Sequence, residues 1–144
     1  MKMLLPGLFA VLLGACAAAP QKTAVNDATL YQRLGGATGV EAVVDASLKR
    51  IHDDLRINIF FENSDLADVR RLLIEQICAA TGGPCTYTGR SMEEAHSGMN
   101  LTDTDFDAFV EDLVAAMTEV KVSPELQQEV LALFGPMQSQ VVGQ

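Results

Sequence analysis

In the stretch GGPCTYTGRSMEEAH, residues 82–96, one histidine closes a short helix-like run. His96 shares a stripe with Met92, Ala95 and Met99, spaced as one face of a helix. Read from the residues alone, a lone histidine on such a face is an ordinary packed or part-exposed helix residue, and nothing in the stretch by itself makes it a ligand. His52 is followed by Asp53 and Asp54, but adjacent helical residues point in different directions, so this triplet reads as a solvated surface. Cys78 and Cys85 lie seven apart with no second Cys/His pair beside them, which argues against a zinc site. Ser47, Ser91 and Ser97 belong to no nucleophile motif, and no glycine-rich phosphate loop is present.

The elements that must position His96 are helices. Val40, Val44, Leu48, Ile51 and Leu55 recur at helical spacing, as do Leu66, Val69, Leu73 and Ile77. The pattern returns with Phe106, Val110, Leu113 and Met117, and again over Leu126, Val130, Phe134, Met137 and Val141. Thr102 with Asp105 three residues on reads as a capping box opening the third of these helices. No stretch alternates with a period of two for long enough to form a strand, so the expected class is all-α. Gly35-Gly36 and Gly82-Gly83-Pro84 mark sharp reversals between helices. Cys78 and Cys85 flank the second of these and are expected to bond to each other, a loop closure that contributes roughly 2–3 kcal/mol.

At 144 residues with 49% apolar content, the chain fits one domain with a real core. Residues 1–15 run from Lys2 through an apolar segment to small residues, the form of a secretory signal. The segment LLGAC also resembles a bacterial lipobox, in which Cys16 is acylated and becomes the first mature residue. Residues 16–29 are polar and small, as suits a tether, and residues 30–141 form the folded domain. The expected location is therefore outside the cytoplasm, lipid-anchored on the periplasmic side of a bacterial membrane, where a disulfide persists. Loss of Lys2 with the signal moves the formal charge from −9 to −10, nine Lys and Arg against nineteen Asp and Glu. Such a chain does not seek nucleic acid.

LYQRLGGATGVEAVVDASLKRI, RINIFF, GGPCTYTGRSMEEAH and NLTDTDFDAFVEDLVAAM fall in an order that resembles a group I truncated (2-on-2) haemoglobin across residues 30–141. The resemblance implies a two-on-two helical sandwich around haem b (iron protoporphyrin IX), with His96 as the proximal ligand of the iron. It implies that Phe61 packs on the porphyrin face and that Met92 and Phe106 wall the haem. Tyr87 and Arg90 are candidates for the propionates. The partner is then O2 or another diatomic gas, NO or CO.

The departures from the family bear on mechanism. Leu48 stands where most members carry a tyrosine hydroxyl, and Val69 and Leu73 stand where polar partners are common. All three are hydrocarbon, and Gln76, one turn beyond Leu73, is the one nearby polar candidate. Bound O2 carries partial negative charge, so a charge-assisted donor favours it over CO by about 1.5–3 kcal/mol. An apolar distal pocket forgoes that gain. The resemblance thus points to a gas-binding protein more than to an enzyme. A haem-dependent redox enzyme, acting as an NO dioxygenase or a peroxidase, would need a separate reductase as electron donor, because no flavin or nicotinamide fingerprint is present. A globin-shaped lipoprotein without haem is the remaining alternative.

Overall fold

A computed structural model describes residues 27–144, and the segment expected to be a signal, Cys16 and most of the expected tether lie outside the described residues. These residues form seven α-helices and no strand: α1 (Leu30–Arg33), α2 (Gly36–Asp53), α3 (Leu66–Ala80), α4 (Met92–His96), α5 (Asp103–Glu119), α6 (Pro124–Phe134) and α7 (Gln138–Val141). Short 3-10 turns cover Asn58–Phe61 and Gly135–Met137. No helix among the described residues is long and apolar enough to cross a membrane.

Local chemistry sets the helix starts. Thr29, Ser91 and Thr102 each close a capping box, with Gln32, Glu94 and Asp105 returning the bond to the cap backbone. Asp65 caps α3 by accepting from Ala67 N and Asp68 N, and Ser123 precedes Pro124 at the first position of α6, where a missing N–H costs nothing. Between α1 and α2 the chain reverses at Gly35 (φ 96°) and Gly36 (φ 65°), conformations that a side chain resists.

The helices pair as α2 with α3 and α5 with α6, and the pairs stack where α2 lies on α5. Val40, Val43 and Val44 of α2 meet Leu113 and Met117 of α5, with Ile77, Val130 and Phe134 completing the main core. Burying each such side chain contributes about 1.5–3 kcal/mol before the cost of ordering the chain. Two of the buried polar residues are bonded locally: Ser47 Oγ donates to Val43 O at 2.8 Å, and Gln127 Nε2 donates to Val122 O at 3.0 Å. A second small core joins Ile51, Ile57 and Ala108, with Phe60, Phe61 and Phe109 packed against it.

Two periodic segments differ from their sequence reading. The apolar stripe of α2 runs on to Leu55, yet the helix ends at Asp53 and Leu55 is 87% exposed. The run from Leu126 to Val141 is not one helix but α6 and α7, separated by a 3-10 turn at Gly135-Pro136-Met137. Pro136 has no N–H to continue the α-helical ladder.

Candidate functional site

The apolar face of α3 is not used up by the core. Only Ile77 and Cys78 of this helix are buried, and Val69, Leu72, Leu73 and Gln76, at positions i, i+3, i+4 and i+7, line a cavity of about 490 Å3. The same cavity receives Met92, Ala95 and His96 from α4, with Met99 just beyond that helix. Ile57, Phe60 and Phe61 close one end. Phe106 and Phe109 of α5 form a further wall, and Phe134, Met137 and Val141 contribute from the C-terminal helices.

His96 is part-buried at the last position of α4, and its Nδ1 lies 2.7 Å from the Met92 carbonyl oxygen. A carbonyl only accepts, so Nδ1 is the donor, and in the neutral ring this leaves the lone pair on Nε2. His52, the other histidine, is a surface residue with a 77% exposed side chain, its Nδ1 3.1 Å from Asp53 Oδ1. It lies outside this cavity.

The structure brings together Phe61, Val69, Leu73, Gln76, Tyr87, Arg90, Met92, His96 and Phe106 in one cavity. It does not bring Leu48 there. Leu48 lines a neighbouring cavity of about 500 Å3 with Ile51, His52 and Leu66, and Phe61 and Ser64 are the walls common to both. Gln76 is inside but engaged: its Nε2 points to the Met92 sulfur at 3.3 Å and the Met137 sulfur at 3.6 Å. That turns the amide toward the residues of the His96 side. Tyr87 donates its hydroxyl to Arg90 O at 3.0 Å, and burial pushes its phenol up from the ordinary value.

The charged residues on the lining sort cleanly. Asp65 caps α3, Asp68 pairs with Arg71, and Asp105 caps α5 against Thr102. Each carboxylate already has a partner. Arg33, Arg50, Arg56, Arg70 and Arg71 are likewise all in ion pairs. Among the described residues Arg90 is the one arginine without such a pair, and beyond a 3.4 Å contact to Glu94 O its guanidinium remains available at the cavity.

Cys78 and Cys85 are bonded in the structure, with Cα atoms 5.8 Å apart. The residues that sequence reading did not assign to the site are chiefly Ile57, Leu72, Phe109, Phe134, Met137 and Val141. Several stood on the helical stripes, but periodicity alone does not separate a face turned to the core from one turned to a cavity.

This donor set fits a flat apolar cofactor. The volume lies within the usual 300–1,000 Å3 range for cofactor sites, the walls are hydrocarbon and aromatic, and one imidazole nitrogen and one cation converge on it. The bacterial-like globin family matches residues 29–142. A group 1 truncated haemoglobin of Tetrahymena pyriformis is 32% identical over 80% of this chain and 95% of its own length. A counterpart from a Synechocystis species is 40% identical over 74% and 90%. Among solved structures, the Fe(III) form of the Tetrahymena pyriformis protein superposes with a TM-score of 0.79 at 32% identity, covering 81% of this chain and all of that one. The 2/2 haemoglobin of a Synechococcus species, solved in the cyanomet state with covalently attached haem, gives 0.76 at 35% identity, covering 81% and 100%.

Proposed function

Because the chain belongs to the group 1 truncated haemoglobins, we propose that it binds a diatomic gas reversibly, with His96 as the proximal ligand and a hydrocarbon distal wall. Its cofactor is haem b. When bound, haem would supply an iron able to hold an imidazole and a small gas. His96 Nε2 would coordinate it, held in orientation by the bond from Nδ1 to Met92 O. Phe61, Met92 and Phe106 would wall the ring, and Arg90, lacking any carboxylate partner, would receive a propionate while Tyr87 braces its backbone.

The observation that carries this reading is the open face of α3, whose Val69, Leu72 and Leu73 share a cavity with a lone imidazole that has one free nitrogen. The Tetrahymena pyriformis protein supports the distal assignment. It was solved with a tyrosine and two glutamines each substituted in turn, residues spaced twenty-one and four apart. Leu48, Val69 and Leu73 have the same spacing. Of the three, Val69 and Leu73 line the cavity and Leu48 stands beside it; their hydrocarbon side chains offer the gas no hydrogen bond, so discrimination between O2 and CO is left to size and access. The test is an absorption spectrum of the loaded protein followed by O2 and CO release rates: a strong Soret band with rapid O2 release supports the reading, and slow O2 release overturns the apolar wall.

Export and lipidation on Cys16 belong to the same proposal, supported by Lys2, the apolar run after it and LLGAC. Mass spectrometry of the mature N-terminus tests them: an acylated Cys16 is expected, and a retained Met1 overturns the assignment.

A further inference from the structure

From Gly82 to Asn100 not one residue is buried, although this stretch carries the haem ligand. Thr81 before it and Leu101 after it are buried. A segment with no residue in the core takes its position from whatever ties it down. Between α3 and α4 the chain is a strap without regular structure, residues 81–91. Most of its ties run to α3. Gly83 N donates to Cys78 O at 2.8 Å, the Glu75 carboxylate accepts from both Thr88 N (2.9 Å) and Thr88 Oγ1 (2.7 Å), and Arg71 Nη1 reaches Thr88 Oγ1 at 2.9 Å. Thr81 O also accepts from Tyr31 N of α1 at 2.8 Å, and beyond α4 Asn100 N donates to Gln144 O at 3.0 Å. The Thr88 bonds are exposed to water, where competition weakens them. The one covalent tie among these is Cys78 to Cys85.

The bond sits between the two walls of the site. Cys78 ends the helix that presents Val69, Leu73 and Gln76, and Cys85 starts the run that presents Tyr87 and Arg90 and leads into the capped helix of Met92 and His96. A Cβ at Gly83 would stand 2.6 Å from the Cys78 sulfur and 2.7 Å from the Tyr31 ring, so the strap backbone passes directly over the buried sulfur. Cys78 is 1% exposed, whereas Cys85 is part-exposed.

We infer that the Cys78–Cys85 bond is a positioning element for the cofactor: while intact it holds the Arg90–His96 segment against α3, and its reduction loosens haem. This rests on the haem reading given above. The chemistry balances with a dithiol as reductant. Its thiolate attacks the accessible Cys85 sulfur, Cys78 leaves as a thiolate and takes a proton, and the second thiol of the reductant then closes its own ring to release Cys85 as a thiol. Two electrons pass to the protein, and the dithiol ends as a cyclic disulfide. The strap of residues 81–91 is then held only by its hydrogen bonds, and His96 gains freedom to move away from the cavity.

The test uses the haem-loaded mature chain, oxidised or treated with dithiothreitol, with excess apomyoglobin as haem acceptor. Haem transfer is expected to be about tenfold faster in the reduced form, and equally fast in a Cys78→Ser/Cys85→Ser variant without reductant. Hydrogen exchange separates positioning from general support: protection should fall across residues 82–100 and stay unchanged in α2 and α5. Equal transfer rates in the two redox states, or loss of protection throughout the core, overturn the inference. A chain that takes up no haem in either state overturns the haem reading and this one with it, whereas normal uptake with equal rates overturns this one alone.

Discussion

His96 and Met92 are joined across one turn of α4, ring Nδ1 to backbone carbonyl oxygen at 2.7 Å. The bond fixes which nitrogen bears the proton, and it does so with a group that no side-chain substitution at position 92 removes. His96→Ala should therefore abolish tight haem retention, while His52→Ala, at an exposed position outside the cavity, should leave the Soret band intact. Absorption spectra after gel filtration check both. Added imidazole should restore a haem spectrum to His96→Gly, because the cavity walls remain.

The hydrocarbon wall makes a directional prediction about gases. Leu73→Gln places an amide on the lining itself, and it should slow O2 release by about ten- to a hundred-and-fifty-fold while leaving CO release nearly unchanged. Leu48→Tyr should do less, since Leu48 faces the neighbouring cavity beside Phe61. Rates from flash photolysis or stopped flow decide it.

Gly39 tests the corner between α1 and α2. A Cβ there would overlap the Leu34 carbonyl oxygen and stand 2.7 Å from the carbonyl carbon, so backbone must move. Gly39→Ala should cost about 3 kcal/mol in chemical denaturation, although alanine is the better helix former.

The pH profile follows from two opposed sets of carboxyls. Hydrogen bonds from Arg70, Arg56, Thr88, Thr102 and Arg33 hold Asp45, Asp54, Glu75, Asp105 and Glu129 below their ordinary values. Their stabilisation is present above the ordinary carboxylate range and is lost as pH falls through the lowered values. Asp112 runs the other way. Burial first, then the charge of Asp54, raises it, so its contribution is present at low pH and lost as pH rises through the raised value. Thermal midpoints should therefore fall on acidification. Asp112→Asn should gain more over wild type at pH 7 than at pH 3.

The helices were legible because their cues are local. The helical spacing of apolar residues along α2, α3, α5 and α6, the Thr102–Asp105 box and the glycine reversals all act within a few residues. Leu55 and the break at Pro136 were not legible from periodicity, since a stripe does not say where burial stops. The placement of Val69 and Leu73 on a cavity rather than a core, and of Leu48 beside it, depends on how α2 and α3 pack, which spacing within one helix does not encode. The direction of the Gln76 amide depends on Met92 and Met137, the latter sixty-one residues away.

The open apolar face of α3 has a calorimetric consequence. Moving a large apolar ring from water onto Val69, Leu72, Leu73 and the phenylalanines removes hydrated hydrocarbon from both partners. Haem uptake should then carry a negative heat-capacity change, and the loaded protein should unfold with a larger positive one than the haem-free chain. Its stability curve is correspondingly more sharply bent, so the advantage of carrying haem varies with temperature rather than adding a constant increment.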